Sequence, residues 1–186
     1  MEKKFIFILV TIVLVSFSPQ IFADEEIGTV IKEDTIVFEV GKDGKVHVSH
    51  IVKSGAWQLQ HPKFLQILLG EHSNLAVKDE DGDRLSFGYK ESTEKGKFTQ
   101  LNQKAAGLDL IVSYDLEQYL QNENGIWEKH FRFPMNVMIL FEDDIDLAFA
   151  TGRPLDLTDA KGINCIGCDL MLEFFDNDSI LKKEIV

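Results

Sequence analysis

Thr35-Ile36-Val37-Phe38-Glu39-Val40, Gly41-Lys42-Asp43-Gly44 and Lys45-Val46-His47-Val48-Ser49-His50-Ile51-Val52 form the stretch whose reading decides the fold. Both flanks are dense in β-branched and aromatic residues and alternate at a period of two, which suits a pleated, half-buried strand. Asp43-Gly44 between them supplies the positive φ that a tight connection needs. The stretch therefore predicts an antiparallel hairpin. On its second strand Val46, Val48, His50 and Val52 share one face, and His47 points the other way.

A second hairpin is predicted where Leu75-Ala76-Val77-Lys78 and Arg84-Leu85-Ser86-Phe87-Gly88-Tyr89 flank Asp79-Glu80-Asp81-Gly82-Asp83. Leu108 to Tyr114 reads as another strand. Ile126 to Phe133 alternates Trp127, Lys129, Phe131 and Phe133 on one face with Glu128, His130 and Arg132 on the other, and Pro134 is expected to end it. Asn136 to Phe141, Ile145 to Ala150 and Asp169 to Phe175 complete a set of eight or nine strands. His61 to Leu69 and Asp115 to Gln121 fit either a strand or a helical turn, and Lys90 to Gly107 reads as a long, mobile connection. No strand–helix–strand alternation occurs. The expected fold is all-β: a single antiparallel β-sandwich with immunoglobulin-like layers over residues 24–175, followed by a polar tail over 176–186.

Residues 1–23 read differently. Lys3 and Lys4 precede an apolar run from Phe5 to Val15, Pro19 breaks the segment, and Ala23 stands before Asp24-Glu25-Glu26. Basic, apolar and small-residue regions in that order describe a secretory signal peptide cleaved after Ala23. The rival expectation is an uncleaved N-terminal anchor, since no charge interrupts Phe5 to Ala23. On either reading the domain works outside the cytoplasmic membrane. The chain carries 31 acidic and 19 basic residues, a net charge of −12, and cleavage deepens this by one because Glu2, Lys3 and Lys4 leave together. Such a charge argues against nucleic acids and anionic membrane surfaces as partners. It leaves an unidentified protein or cell-surface partner, with membrane contact only through the N-terminal segment if that stays attached.

Cys165-Ile166-Gly167-Cys168 is the sharpest local motif. Residues three apart on a straight strand face opposite ways, so the two thiols can meet only if the chain curls into a turn before the last strand. In an exported protein a disulfide is the leading reading. A copper(I) or other soft-metal site, or a redox-active pair, is the alternative, because thiolates are soft ligands. His47 and His50 are the candidate additional ligands, although H-x-x-H on a strand splits them to opposite faces and a hydrogen-bonded core histidine is the simpler reading of His50. His61, His72 and His130 are scattered. Asp79, Asp81 and Asp83 around Gly82 form a candidate calcium loop, against the plainer reading of a solvated hairpin tip that lacks the full EF-hand spacing.

Ile111 to Leu116, Gly125-Ile126-Trp127, Val137 to Phe149 and Gly162-Ile163-Asn164-Cys165-Ile166-Gly167-Cys168, followed by Leu172-Glu173-Phe174, resemble a stretch of uncharacterised exported proteins of ammonia-oxidising archaea. The likeness covers about Ile111 to Phe174 and implies a cell-surface β-sandwich with no known activity. Many of those proteins carry a C-terminal hydrophobic anchor, and this sequence departs from them by lacking one before Val186.

No nucleophile elbow, zinc-protease helix, phosphate loop or dinucleotide fingerprint is present. The leading expectation is an exported, non-catalytic binding or structural module. The others are a copper-binding or redox protein built on Cys165 and Cys168, and a secreted hydrolase using a pair of acidic residues in a cleft.

Overall fold

The computed structural model describes residues 29–42, 44–54, 63–92, 96–102, 107–152, 156–158 and 162–176. The signal-peptide expectation for residues 1–23, His61 and the tail beyond residue 176 lie outside them. Among the described residues there is no helix, and the strands form two packed mixed sheets, an all-β sandwich-like single domain.

The strands, in chain order, are β1 (Thr29–Ile31), β2 (Thr35–Val40), β3 (Val46–Val52), β4 (Lys63–Ile67), β5 (Glu71–Asp79), β6 (Arg84–Leu85) and β7 (Phe87–Ser92). They continue with β8 (Gly96–Leu101), β9 (Leu110–Glu117), β10 (Gln121–Glu123), β11 (Ile126–Phe141), β12 (Ile145–Gly152), β13 (Asp156–Thr158) and β14 (Gly162–Asp176). The smaller sheet runs β1-β4-β8-β7. The larger runs β12-β14-β11-β2-β3-β9-β5-β6, with β10 added beside β11 and β13 beside β14.

The deciding hairpin forms as read. Val40 pairs with Val46 and Thr35 with Ile51, and Gly44 takes the positive φ of 75°. Val46, Val48, His50 and Val52 are all buried. The second hairpin also forms, but β6 is two residues long, and the chain crosses at Ser86 into β7 of the smaller sheet.

Several expectations are corrected. The segment from Lys90 to Gly107 is largely not a loose connection: β7 and β8 pair from Phe87–Leu101 to Ser92–Gly96, because Phe98 and Leu101 bury against the core even though polar residues separate them. The two ambiguous runs contain strand and no helix among their described residues: Lys63 to Ile67 form β4, and Asp115 to Glu117 end β9 before a turn at Gln118 to Leu120. Two ladders within the sandwich are parallel, β1 with β4 and β2 with β11.

Pro134 does not end its strand either. β11 continues for 16 residues, and proline is tolerated because it sits in a bulge. There Phe133 pairs with Cys168 and Asn136 with Ile166, so Pro134 and Met135 oppose Gly167 alone. Gly167 has φ 63°. A bulge bends and twists a ladder, and such corners let one strand pair pass from layer to layer. The bend is large. Eight residues of straight strand span about 26 Å, yet the Phe38 ring, carried next to Ile139 on the ladder, lies 5.1 Å from the Phe131 ring. Phe141 likewise stacks 5.3 Å from Phe174, whose ladder partner is Trp127. The larger sheet therefore folds over on itself at Pro134-Met135, and the two halves share one core.

Candidate functional site

The crease formed by that fold is also where a cleft opens. Its walls come from Val30 and Ile31 of β1, the Lys32-Glu33 turn, Ile36 of β2, Gln66 to Leu69 at the end of β4, Tyr119, and Phe133 to Met135 of the bulge. Its volume is about 630 Å³, within the range of small-molecule sites. The walls are mostly apolar. Val30 and Leu69 stay exposed at the rim, and Phe38, Tyr119, Phe131 and Phe133 form an aromatic cluster beneath. Burial pushes the Tyr119 hydroxyl up to about 12, so it stays protonated and able to donate.

A buried polar chain links residues that line this cleft to the larger sheet. The Tyr114 hydroxyl accepts from the Leu68 amide at 2.9 Å and lies 2.8 Å from His50 Nε2. On the far side of the ring, His50 Nδ1 stands 3.4 Å from the Glu33 carboxylate. That spacing is within ion-pair reach but not aligned as a hydrogen bond. The Tyr114 oxygen thus serves both neighbours, accepting from the Leu68 N–H and sharing one hydrogen bond with Nε2. His50 and Tyr114 are fully buried, and the Glu33 side chain is 11% exposed. Burial works against the charged Glu33 carboxylate, but His50 and its own backbone amide outweigh that and hold it below the ordinary carboxyl value. Burial drives the Tyr114 hydroxyl far up. Glu33 and Leu68 follow the paired strands β1 and β4 of the smaller sheet, and their contacts with His50 of β3 and Tyr114 of β9 tie that sheet to the larger one.

The C-x-x-C pair lies directly behind the bulge. Cys165 and Cys168 are both buried, with Cα atoms 5.5 Å apart and sulfurs at disulfide distance. The expected curl exists, but inside β14 rather than before it: Gly167 supplies the left-handed residue, and the bulge restores both thiols to the same face. Ile166 is thrown outward at the tip, 81% exposed.

The predicted histidine ligands do not join these sulfurs. His50 shares the buried row Cys165–Val137–Ile36–His50, three ladder steps from Cys165. That is about 14 Å, whereas copper or zinc bonds to sulfur and nitrogen are close to 2 Å. His47 points to the opposite face, where it meets Asp115 at 2.6 Å, and Asn74 donates to the same carboxylate at 2.6 Å. Those two hydrogen bonds, Asn74 first, hold Asp115 below its ordinary value. His50 lies fully buried in the core, hydrogen-bonded to Tyr114. The Asp79-to-Asp83 segment is a hairpin tip, with the Asp79 carboxylate accepting from the Asp83 amide at 2.8 Å and Gly82 N–H donating to the Asp79 carbonyl. Among the described residues no three His, Cys, Asp or Glu side chains are gathered for a metal.

A second, more polar cleft of about 490 Å³ lies on the outer face, lined by Glu39, Lys45, His47, Asp115, Phe141 and Glu142 among others. It holds several carboxylates, as an acidic hydrolase would require. Asp115 is committed to His47 and Asn74, and Glu142 accepts from the Lys42 amide at 3.2 Å.

Sequence reasoning did not single out Glu33, Tyr114, Tyr119 or Met135. Lys32-Glu33-Asp34 carries no motif, and Tyr114 and Tyr119 lie in a predicted strand and in the ambiguous run after it. Only the crease brings them together.

No family model and no curated protein matches the sequence. Native yeast LTA4 hydrolase is similar in structure at a TM-score of 0.48 and 8% identity, over 78% of this chain and 29% of that one. A likeness that distant carries no argument about this chain.

Proposed function

We propose that this chain is an exported binding module and that its ligand occupies the cleft at the crease. The observation that carries this reading is the cleft itself: a mostly apolar space of about 630 Å³ whose lining residues Glu33 and Leu68 are tied to the larger sheet by buried polar contacts with His50 and Tyr114. Apolar clefts of that size with a few convergent polar groups are the usual form of small-molecule sites, and anchoring of the lining residues keeps them open without a bound occupant. The basic and apolar N-terminal segment supports export, and in that setting the half-exposed rim residues Val30 and Leu69 are an entrance rather than a defect.

The test uses N-phenyl-1-naphthylamine, an uncharged apolar fluorophore, with the chain lacking residues 1–23. Saturable fluorescence enhancement is expected, and Met135→Trp, which fills the cleft from the bulge, is expected to abolish it while the circular dichroism spectrum is kept. Enhancement that does not saturate, or that survives Met135→Trp, overturns the reading.

A further inference from the structure

From the position of Glu33 we infer that the cleft selects ligands with an apolar body and a protonated amine head, the ammonium being received by the Glu33 carboxylate. The inference rests on the proposal that the cleft is a ligand site.

Two charged side chains line this cleft, Lys32 and Glu33, and they are not equivalent. Lys32 is exposed, whereas the Glu33 side chain retains 11% of its surface. A solvated ammonium is screened within a few ångströms by water and salt, while a charge held at low dielectric acts on its neighbours several times more strongly. The field inside the cleft is therefore set by the carboxylate. His50 Nδ1 stands 3.4 Å from one of its oxygens, Oε1, without hydrogen-bond alignment. An ionised carboxylate accepts several hydrogen bonds, and His50 together with the Glu33 amide takes up only part of that capacity.

The walls favour the same ligand. Tyr119 and Phe133 present aromatic rings to the cleft, and ring faces attract ammonium groups. The net charge of −12 adds long-range attraction for cations. A fatty acid of the same shape would instead place its carboxylate against Glu33.

The experiment displaces bound N-phenyl-1-naphthylamine with decylamine, decanol and decanoate, which share one alkyl chain. Charge-assisted hydrogen bonds exceed neutral ones by about the amount that a tenfold affinity change requires. Decylamine is thus expected to displace the probe at roughly a tenth of the decanol concentration, with decanoate weakest. In Glu33→Gln, decylamine and decanol are expected to become equal while decanol is unchanged. Equal displacement by all three in the native chain, a preference for decanoate, or an amine preference that survives Glu33→Gln overturns the inference while leaving the cleft as a ligand site. Failure of the probe to bind at all overturns both.

Discussion

Replacing Tyr114 by Phe removes one oxygen and tests whether the two sheets are joined beside the cleft as described. The hydroxyl serves two buried partners, the Leu68 amide at 2.9 Å and His50 Nε2 at 2.8 Å, and neither has an alternative among the described contacts. A buried polar group left without a partner costs about 1–3 kcal/mol. Two such groups, less the desolvation that the hydroxyl itself no longer suffers, give a net loss of roughly 2–4 kcal/mol. That is a large share of the total for a domain of this size, typically about 5–15 kcal/mol. Urea unfolding followed by tryptophan fluorescence should show a lower midpoint at unchanged slope. Adding His50→Leu should cost less than the sum of the two single changes, since each single variant orphans an atom of the other. Coupled neighbours give interaction terms of about 0.5–3 kcal/mol. A loss below about 0.5 kcal/mol for Tyr114→Phe, or strict additivity in the double variant, would refute the buried chain.

Acid titration gives a second prediction. Glu33 and Asp115 have folded values below their ordinary 4.5 and 3.8, so their contribution is complete above those values and lost as pH falls through the lowered ones. Urea midpoints should hold from neutral pH to about pH 5 and then fall, and Glu33→Gln should make the fall shallower. Gly44 and Gly82 both have positive φ, but a Cβ at Gly44 would run into the Trp127 ring, whereas nothing lies within 4 Å at Gly82. Gly82→Ala should cost about 1 kcal/mol from backbone strain alone, and Gly44→Ala clearly more, with a shifted tryptophan emission. Removing both sulfurs in Cys165→Ala/Cys168→Ala should cost about 2 kcal/mol by the loop-entropy relation. It should also weaken probe binding, because Cys168 is the ladder partner of Phe133; equal melting curves before and after the change would contradict the bridge.

Much of the fold was legible, and the reason is local. The Thr35–Val52 hairpin announces itself through alternation and Asp-Gly, and the inward face of Trp127, Lys129, Phe131 and Phe133 follows from period two. What escaped depends on distant partners. Pro134 reads as a stop until Gly167, more than thirty residues on, supplies the opposing half of a bulge. Gly96 to Leu101 looks polar because only Phe98 and Leu101 carry its apolar signal, and Thr99 is buried beside them. The cleft was the least legible part. Its walls come from β1 and the turn after it, β2, β4, the turn after β9 and the bulge, which lie far apart in the sequence. His50 carried the nearest hint, a polar residue on the valine face of its strand, but its partners Tyr114 and Glu33 stand on other elements.

The most direct measurement is a crystal structure of the chain without residues 1–23, grown with decylamine. The account predicts the alkyl chain lying between Ile67, Tyr119 and Met135, with its nitrogen within hydrogen-bond distance of the Glu33 carboxylate. A cleft closed by its own side chains, or decylamine bound only elsewhere on the surface, would contradict it.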